Sequence, residues 1–153
     1  MSLRITIEEN YKTAIKSKNT NEVNTLRLIK SAIKDKDIAI RSGNNNNITS
    51  ESEILSLLQN LIKQRKDSID AFKVAARHDL VASEQAEIEI ISKFLPKQMN
   101  EIETEKLIQL IIGKNNLNAL KDMGGLMNEL KANHSGSIDM ALAGKIAKSK
   151  LTT

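Results

Sequence analysis

Ser50-Glu51-Ser52-Glu53-Ile54-Leu55-Ser56-Leu57-Leu58-Gln59-Asn60-Leu61-Ile62 opens the longest helical pattern in the chain. A serine followed three residues later by a glutamate is a capping box, in which each side chain satisfies a backbone N–H that the first helical turn leaves open. Behind it, Ile54, Leu58, Leu61, Ile62, Ile69 and Phe72 recur at the 3.6-residue spacing of one buried stripe. No run elsewhere alternates apolar and polar residues with period two over a useful length, so the expected fold class is all-α.

The pattern continues in both directions from this helix. Upstream, Leu3, Ile7, Tyr11, Ala14 and Ile15 share a helical face that stops at Lys18-Asn19-Thr20, where Thr20 or Asn21 is expected to cap a second helix. That helix buries Val23, Leu26, Ile29 and Ile33. Its other side carries Arg27, Lys30, Lys34 and Arg41, interrupted by Asp37, and reads as a solvated stripe. Ser42-Gly43 and the run from Asn44 to Asn47 read as a low-complexity loop, to which no function is attached.

Downstream, a fourth helix from about Leu80 to Phe94 turns Val81, Ile88, Ile91 and Leu95 inward and meets Pro96, the single proline. Proline disfavours helix for the residue before it, which makes Leu95 a boundary. Asn100 and Glu103 then stand in capping positions before Leu107, Leu110 and Ile111. Asn115, Asn116 and Asn118 predict a turn, the segment 119–132 a further helix, and Ser135-Gly136-Ser137 the cap of a last helix ending near Leu151. The expected organisation is an N-terminal helical bundle over residues 1–96 and a small three-helix domain over residues 97–153.

Composition narrows the possible functions. With 153 residues and no cysteine, the chain excludes a disulfide framework, a cysteine nucleophile and a thiolate metal site. No segment approaches the roughly 20 apolar residues needed to cross a bilayer, and Glu8 and Glu9 argue against reading residues 1–18 as a transit peptide. The expectation is a cytoplasmic protein with no membrane partner. The net charge of +4 is uneven: residues 1–41 hold nine basic and five acidic side chains, residues 51–96 six and eight, and residues 97–153 eight and six. Such a field permits polyanion binding. With Tyr11, Phe72 and Phe94 as the only aromatics, a stacking platform for unpaired bases is excluded, so an RNA partner would be held by phosphate and shape.

Arg65 falls inside the buried stripe of the third helix, where an unpaired guanidinium costs several kcal/mol. It therefore predicts a structural carboxylate partner, with Asp79, Glu84 or Glu87 as candidates. His78 and His134 lie far apart in sequence and neither has metal-ligand spacing. No catalytic residue, cofactor site or metal site is expected.

Leu120-Lys121-Asp122-Met123-Gly124-Gly125-Leu126-Met127 sets two adjacent glycines in a helix-forming stretch, where each forgoes roughly 1 kcal/mol relative to alanine. Either a packed neighbouring helix or a nucleic-acid backbone would need the room they leave.

Lys63-Gln64-Arg65-Lys66-Asp67-Ser68, Ala76-Arg77-His78-Asp79-Leu80, Glu84, Glu87 and Phe94-Leu95-Pro96-Lys97-Gln98 follow one another in an order that resembles the YqeY family. Leu26-Arg27-Leu28-Ile29 and Asp122-Met123-Gly124 with Met127 extend the resemblance over nearly the whole chain. It implies an all-helical protein whose C-terminal domain is similar to the tail of GatB, the B subunit of the glutamine-dependent aminoacyl-tRNA amidotransferase. In that enzyme the tail contacts the outer corner of tRNA while other domains do the chemistry.

The resemblance thus implies an accessory protein that contacts tRNA or a tRNA-handling partner, such as aminoacyl-tRNA or amidotransferase components, through Lys121, Gly124 and Gly125, with Lys131, Lys145 and Lys148 supplying charge. Family members usually carry a lysine where this chain has Gly125, so one phosphate-binding charge is missing from the motif and the expected role of the glycine pair shifts toward helix packing. Two alternatives stand beside it. One is a protein-interaction scaffold without RNA. The other is a carbon–nitrogen ligase activity with glutamine as amido-N-donor, which would need other subunits.

Overall fold

The computed structural model describes residues 2–41, 48–134 and 136–152. Among them all regular structure is helical: α1 (Leu3–Lys16), α2 (Thr20–Arg41), α3 (Glu51–Val74), α4 (His78–Ser92), α5 (Glu101–Asn115), a 3₁₀ turn (Leu120–Asp122), α6 (Met123–His134) and α7 (Met140–Leu151). Packing divides the chain into two compact units, Met1–Leu95 and Pro96–Thr153.

In the first unit α3 and α4 form a long hairpin, and α2 packs against α1, α4 and α3. Ile7 and Ala14 from α1, Leu26, Ile29 and Ile33 from α2, Ile54 and Leu58 from α3 and Ile91 from α4 form one buried cluster. Full burial of each such leucine or isoleucine contributes about 1.5–3 kcal/mol, which is how a set of amphipathic helices holds together without disulfides. The helix ends are set locally. Lys18 adopts φ 58°, closing α1, while Asn19 N–H returns to Ala14 O at 3.1 Å. The cap of α2 is Asn19 and not Thr20 or Asn21, because Asn19 Oδ1 accepts from Glu22 N–H at 3.2 Å while its amide donates to the Glu22 carboxylate at 3.1 Å. Ser50 Oγ accepts from Glu53 N–H and caps α3. The asparagine-rich segment read as a loop lies outside the described residues.

Asp37 does not interrupt a solvated stripe. It is 8% exposed, and its carboxylate receives Arg4 Nη1 at 3.0 Å, Arg4 Nη2 at 2.6 Å, Thr49 N–H at 2.8 Å and Thr49 Oγ1 at 2.6 Å. Arg4 Nη2 also donates to Thr49 O at 3.1 Å. The start of α1, the last turns of α2 and the approach to α3 are thereby tied at one point. Hydrogen bonding from Arg4 first, and then from Thr49, holds the Asp37 carboxyl well below the ordinary carboxylate range despite its burial.

The second unit buries Ile108 and Ile111 from α5, Leu126 and Leu130 from α6, Ile138, and Ala143, Ala147 and Leu151 from α7. Asn100 and Glu103 form a complete capping box at the start of α5. The inward face of that helix carries Thr104, Ile108 and Ile111, whereas Leu110, which follows the same cap, is 68% exposed. Apolar residues surround most of the C-terminal half of α5, so their spacing alone leaves its rotation open. Two further boundaries differ. The segment 119–122 starts as a 3₁₀ turn because Asp122 Oδ2 draws in the N–H groups of Asn118 (3.0 Å) and Ala119 (3.2 Å). Asp139, not the preceding serines, caps α7 by accepting from Ala141 and Leu142 N–H. Gly136 is needed for a different reason: its φ of 87° is left-handed, and its carbonyl accepts from Gln98 Nε2.

Candidate functional site

Asn116, in the left-handed conformation at φ 53°, ends α5, and the 3₁₀ turn then leads into α6. Asp122 is engaged in holding this turn, and its neighbour Lys121 is exposed. Gly124 and Gly125 follow in the first turn of α6, and both are exposed. A methyl group placed on either would meet nothing within 4 Å.

This overturns the packing explanation. Among the described residues no helix needs the room that the pair leaves, so packing accounts for neither glycine. Gly144 on α7 is the glycine that does face a neighbour, its Cβ position lying 3.9 Å from Met127 Cε. The α6–α7 seam therefore runs along Met127 and Gly144. Gly124 and Lys131, seven residues apart, share one side of α6 next to Met127, and Lys148 follows one turn after Gly144 on α7. Lys131, Lys145 and Lys148 are exposed, and among the described residues they pair with no carboxylate, unlike Lys150, which reaches Glu105 at 2.9 Å. The C-terminal residues singled out from the sequence thus form a solvent-facing set: bare backbone at Gly124-Gly125, with unneutralised ammonium groups on α6, on α7 and at Lys121.

Arg65 is 9% exposed, with Nε donating to Glu87 Oε2 at 2.8 Å and Nη1 donating to Leu61 O at 3.0 Å. Asp79 is held elsewhere, by the Arg77 guanidinium at 3.2 Å, whose hydrogen bonds lower its carboxyl from the ordinary value. Glu84 is half-buried and does not pair with Arg65. The Arg65–Glu87 bond locks α3 to α4 rather than serving chemistry. Glu87→Gln keeps an acceptor but removes the charge, and with Glu87 one-third exposed the expected loss is about 1 kcal/mol in urea unfolding. Glu84→Gln should stay within about 0.5 kcal/mol of wild type. Equal losses would show that the pair has no special part in the hairpin.

His78 opens α4 and His134 closes α6. No group of three or more histidine, aspartate or glutamate side chains able to hold a metal ion occurs among the described residues, and no helix there is long and apolar enough to cross a membrane.

Comparison with known proteins adds a family to this geometry. The chain is 32% identical over 121 residues to Altered inheritance of mitochondria protein 41, mitochondrial, of Saccharomyces cerevisiae, a match covering 78% of this chain and 60% of the yeast protein. It is 30% identical over 105 residues to the protein of that name from Pyrenophora tritici-repentis, covering 67% and 55%. An uncharacterised Schizosaccharomyces pombe protein is 27% identical over 101 residues, covering 66% of this chain and 78% of its own length. The chain accordingly spans little more than half of the named mitochondrial relatives. Matched to the Yqey-like protein profile over residues 4–151, through both helical units, it belongs to the YqeY-like family.

Proposed function

We propose that this protein is an accessory factor that contacts structured RNA of the tRNA type through α6 and α7. The observation that carries the reading is the bare, solvent-facing Gly124-Gly125 turn, which packing inside the chain does not require. Adjacent glycines without an internal reason leave the backbone open to an external one, and a phosphate backbone is a partner that gains from close approach. Lys121, Lys131, Lys145 and Lys148 are exposed cations of the same helical unit, and the three aromatics of the chain are too few for base stacking. Recognition then rests on phosphate spacing and shape. Amido transfer from glutamine is not assigned to this chain.

Binding of unmodified tRNA by the full chain across a salt series tests the proposal. The observed constant should fall by about 0.7–0.9 log units per tenfold rise in salt for each phosphate contacted. Lys131→Gln, Lys145→Gln and Lys148→Gln together should weaken binding and flatten that slope by about two to three. Affinity for tRNA no higher than for heparin, or a triple variant that binds like wild type, would overturn it. A scaffold reading is favoured by a separate observation, the 65% and 68% exposure of Ile102 and Leu110 on α5, which offer apolar surface to a protein partner.

A further inference from the structure

We propose that an open cavity between α1 and α2, lined by Tyr11, Arg27, Lys30, Ser31 and Lys34, binds a ligand carrying two or more phosphoryl groups. Its volume is about 320 Å³, at the lower end of the range of small-molecule sites. The residues converge for a structural reason. Leu26, Ile29 and Ile33 bury one face of α2, which turns Arg27, Lys30, Ser31 and Lys34 out along the edge where α1 presents Tyr11.

Within this cavity the cations have different standing. Lys30 is already engaged, with Nζ 2.8 Å from Glu8 Oε2 and 4.1 Å from the centroid of the Tyr11 ring. It fixes the tyrosine, whose hydroxyl accepts from Arg27 Nη2 at 3.4 Å. Arg27 and Lys34 pair with no carboxylate among the described residues, so Glu8 offsets Lys30 while the two cations on either side of it along α2 stay without a counter-ion. Seven residues of helix separate their Cα positions by about 10 Å along the axis, and both long side chains line the same cavity. A single phosphate would leave one cation without an anion; a diphosphate, or two successive phosphates, gives each cation its own, with the Ser31 and Tyr11 hydroxyls as neutral donors beside them. The arginine supplies the planar fork suited to phosphate oxygens and the lysine a point charge. This site lies in the first unit and does not depend on the RNA contact proposed for α6 and α7.

Two sources share this chemistry, a free polyphosphate group and consecutive phosphates of an RNA. Amide chemical-shift mapping of the full chain with pyrophosphate, at about 0.15 M salt to screen weak surface attraction, tests the site directly. Saturable shifts confined to residues around Tyr11 and the Arg27–Lys34 segment are expected. Arg27→Gln with Lys34→Gln should weaken binding tenfold or more, Arg27→Lys with Lys34→Arg should restore most of it, and Lys145→Gln with Lys148→Gln should leave it unchanged. Both lost side chains are exposed, so the double variant should keep the wild-type melting temperature. Shifts that spread over all lysines without saturating, or undiminished affinity in the Arg27→Gln, Lys34→Gln variant, would overturn the proposal. With binding established, tRNA titration of that variant separates the sources: a parallel loss identifies the RNA backbone, and unchanged tRNA affinity identifies a free polyphosphate.

Discussion

Asp37→Ala should lower the stability of the protein by about 3 kcal/mol, because the change strands more than one buried partner. Arg4 loses a bidentate acceptor, and Thr49, 2% exposed, loses the acceptor for both its N–H and its hydroxyl. Each buried donor left unpaired costs about 1–3 kcal/mol, and Arg4, partly open to solvent, recovers some of its loss from water. For a unit of this size, 3 kcal/mol corresponds to a melting-temperature drop on the order of 15 °C, readable by calorimetry. Acid provides the complementary test. Since the folded-state carboxyl of Asp37 is depressed, its contribution is fully present above the ordinary aspartate value of about 3.9 and is lost as the pH falls through that value toward the folded one. Wild type should therefore lose stability steeply below about pH 4, and Asp37→Asn, less damaging at neutral pH, should lose less over that window. Identical acid profiles would remove Asp37 from the account.

How far such a network can be read from sequence depends on its range. The capping box at Asn100 and the serine cap at Ser50 connect residues three apart, so spacing alone identified the residues involved. The stripe Leu26, Ile29, Ile33 was equally legible. Asp37 continues it at the next four-residue step and is buried with it, so the same reasoning that demanded a partner for Arg65 applied here. Its partners were not legible, because Arg4 and Thr49 lie 33 and 12 residues away and meet it only once the helices have packed.

The rotation of α5 was not legible for the opposite reason, an excess of signal. Leu107, Ile108, Leu110, Ile111 and Ile112 offer more than one apolar face, and the deciding residue is Thr104, whose buried hydroxyl donates to Asn100 O at 2.7 Å and so needs no external partner. The candidate site shows a third limit. That Gly124 and Gly125 are adjacent was visible, but whether anything stands beside them depends on the course of other helices. The basic residues of α2 shared this limit: as a list they resembled any solvated face, and only the tyrosine of a neighbouring helix makes Arg27, Lys30 and Lys34 a cavity.

The glycine pair allows a result of opposite sign to most substitutions. Gly124→Ala with Gly125→Ala should raise stability by about 1–2 kcal/mol, since both alanines restrict the unfolded chain and neither added methyl finds a neighbour within 4 Å. The melting temperature of the C-terminal unit should rise by about 4–8 °C for each kcal/mol gained. Had a neighbouring helix required the room, the same variant would melt lower, so the sign of the change tests whether packing holds the pair. Gly125→Lys places a cation beside Lys121 at a position already exposed to solvent. If RNA phosphates approach this turn, the variant should bind tRNA more tightly at low salt and steepen the salt dependence by about 0.7–0.9, while the alanine pair, by thickening the surface, should weaken binding. A lysine that changes neither affinity nor slope would move the RNA contact away from this turn, leaving the lysines of α6 and α7 to carry it alone.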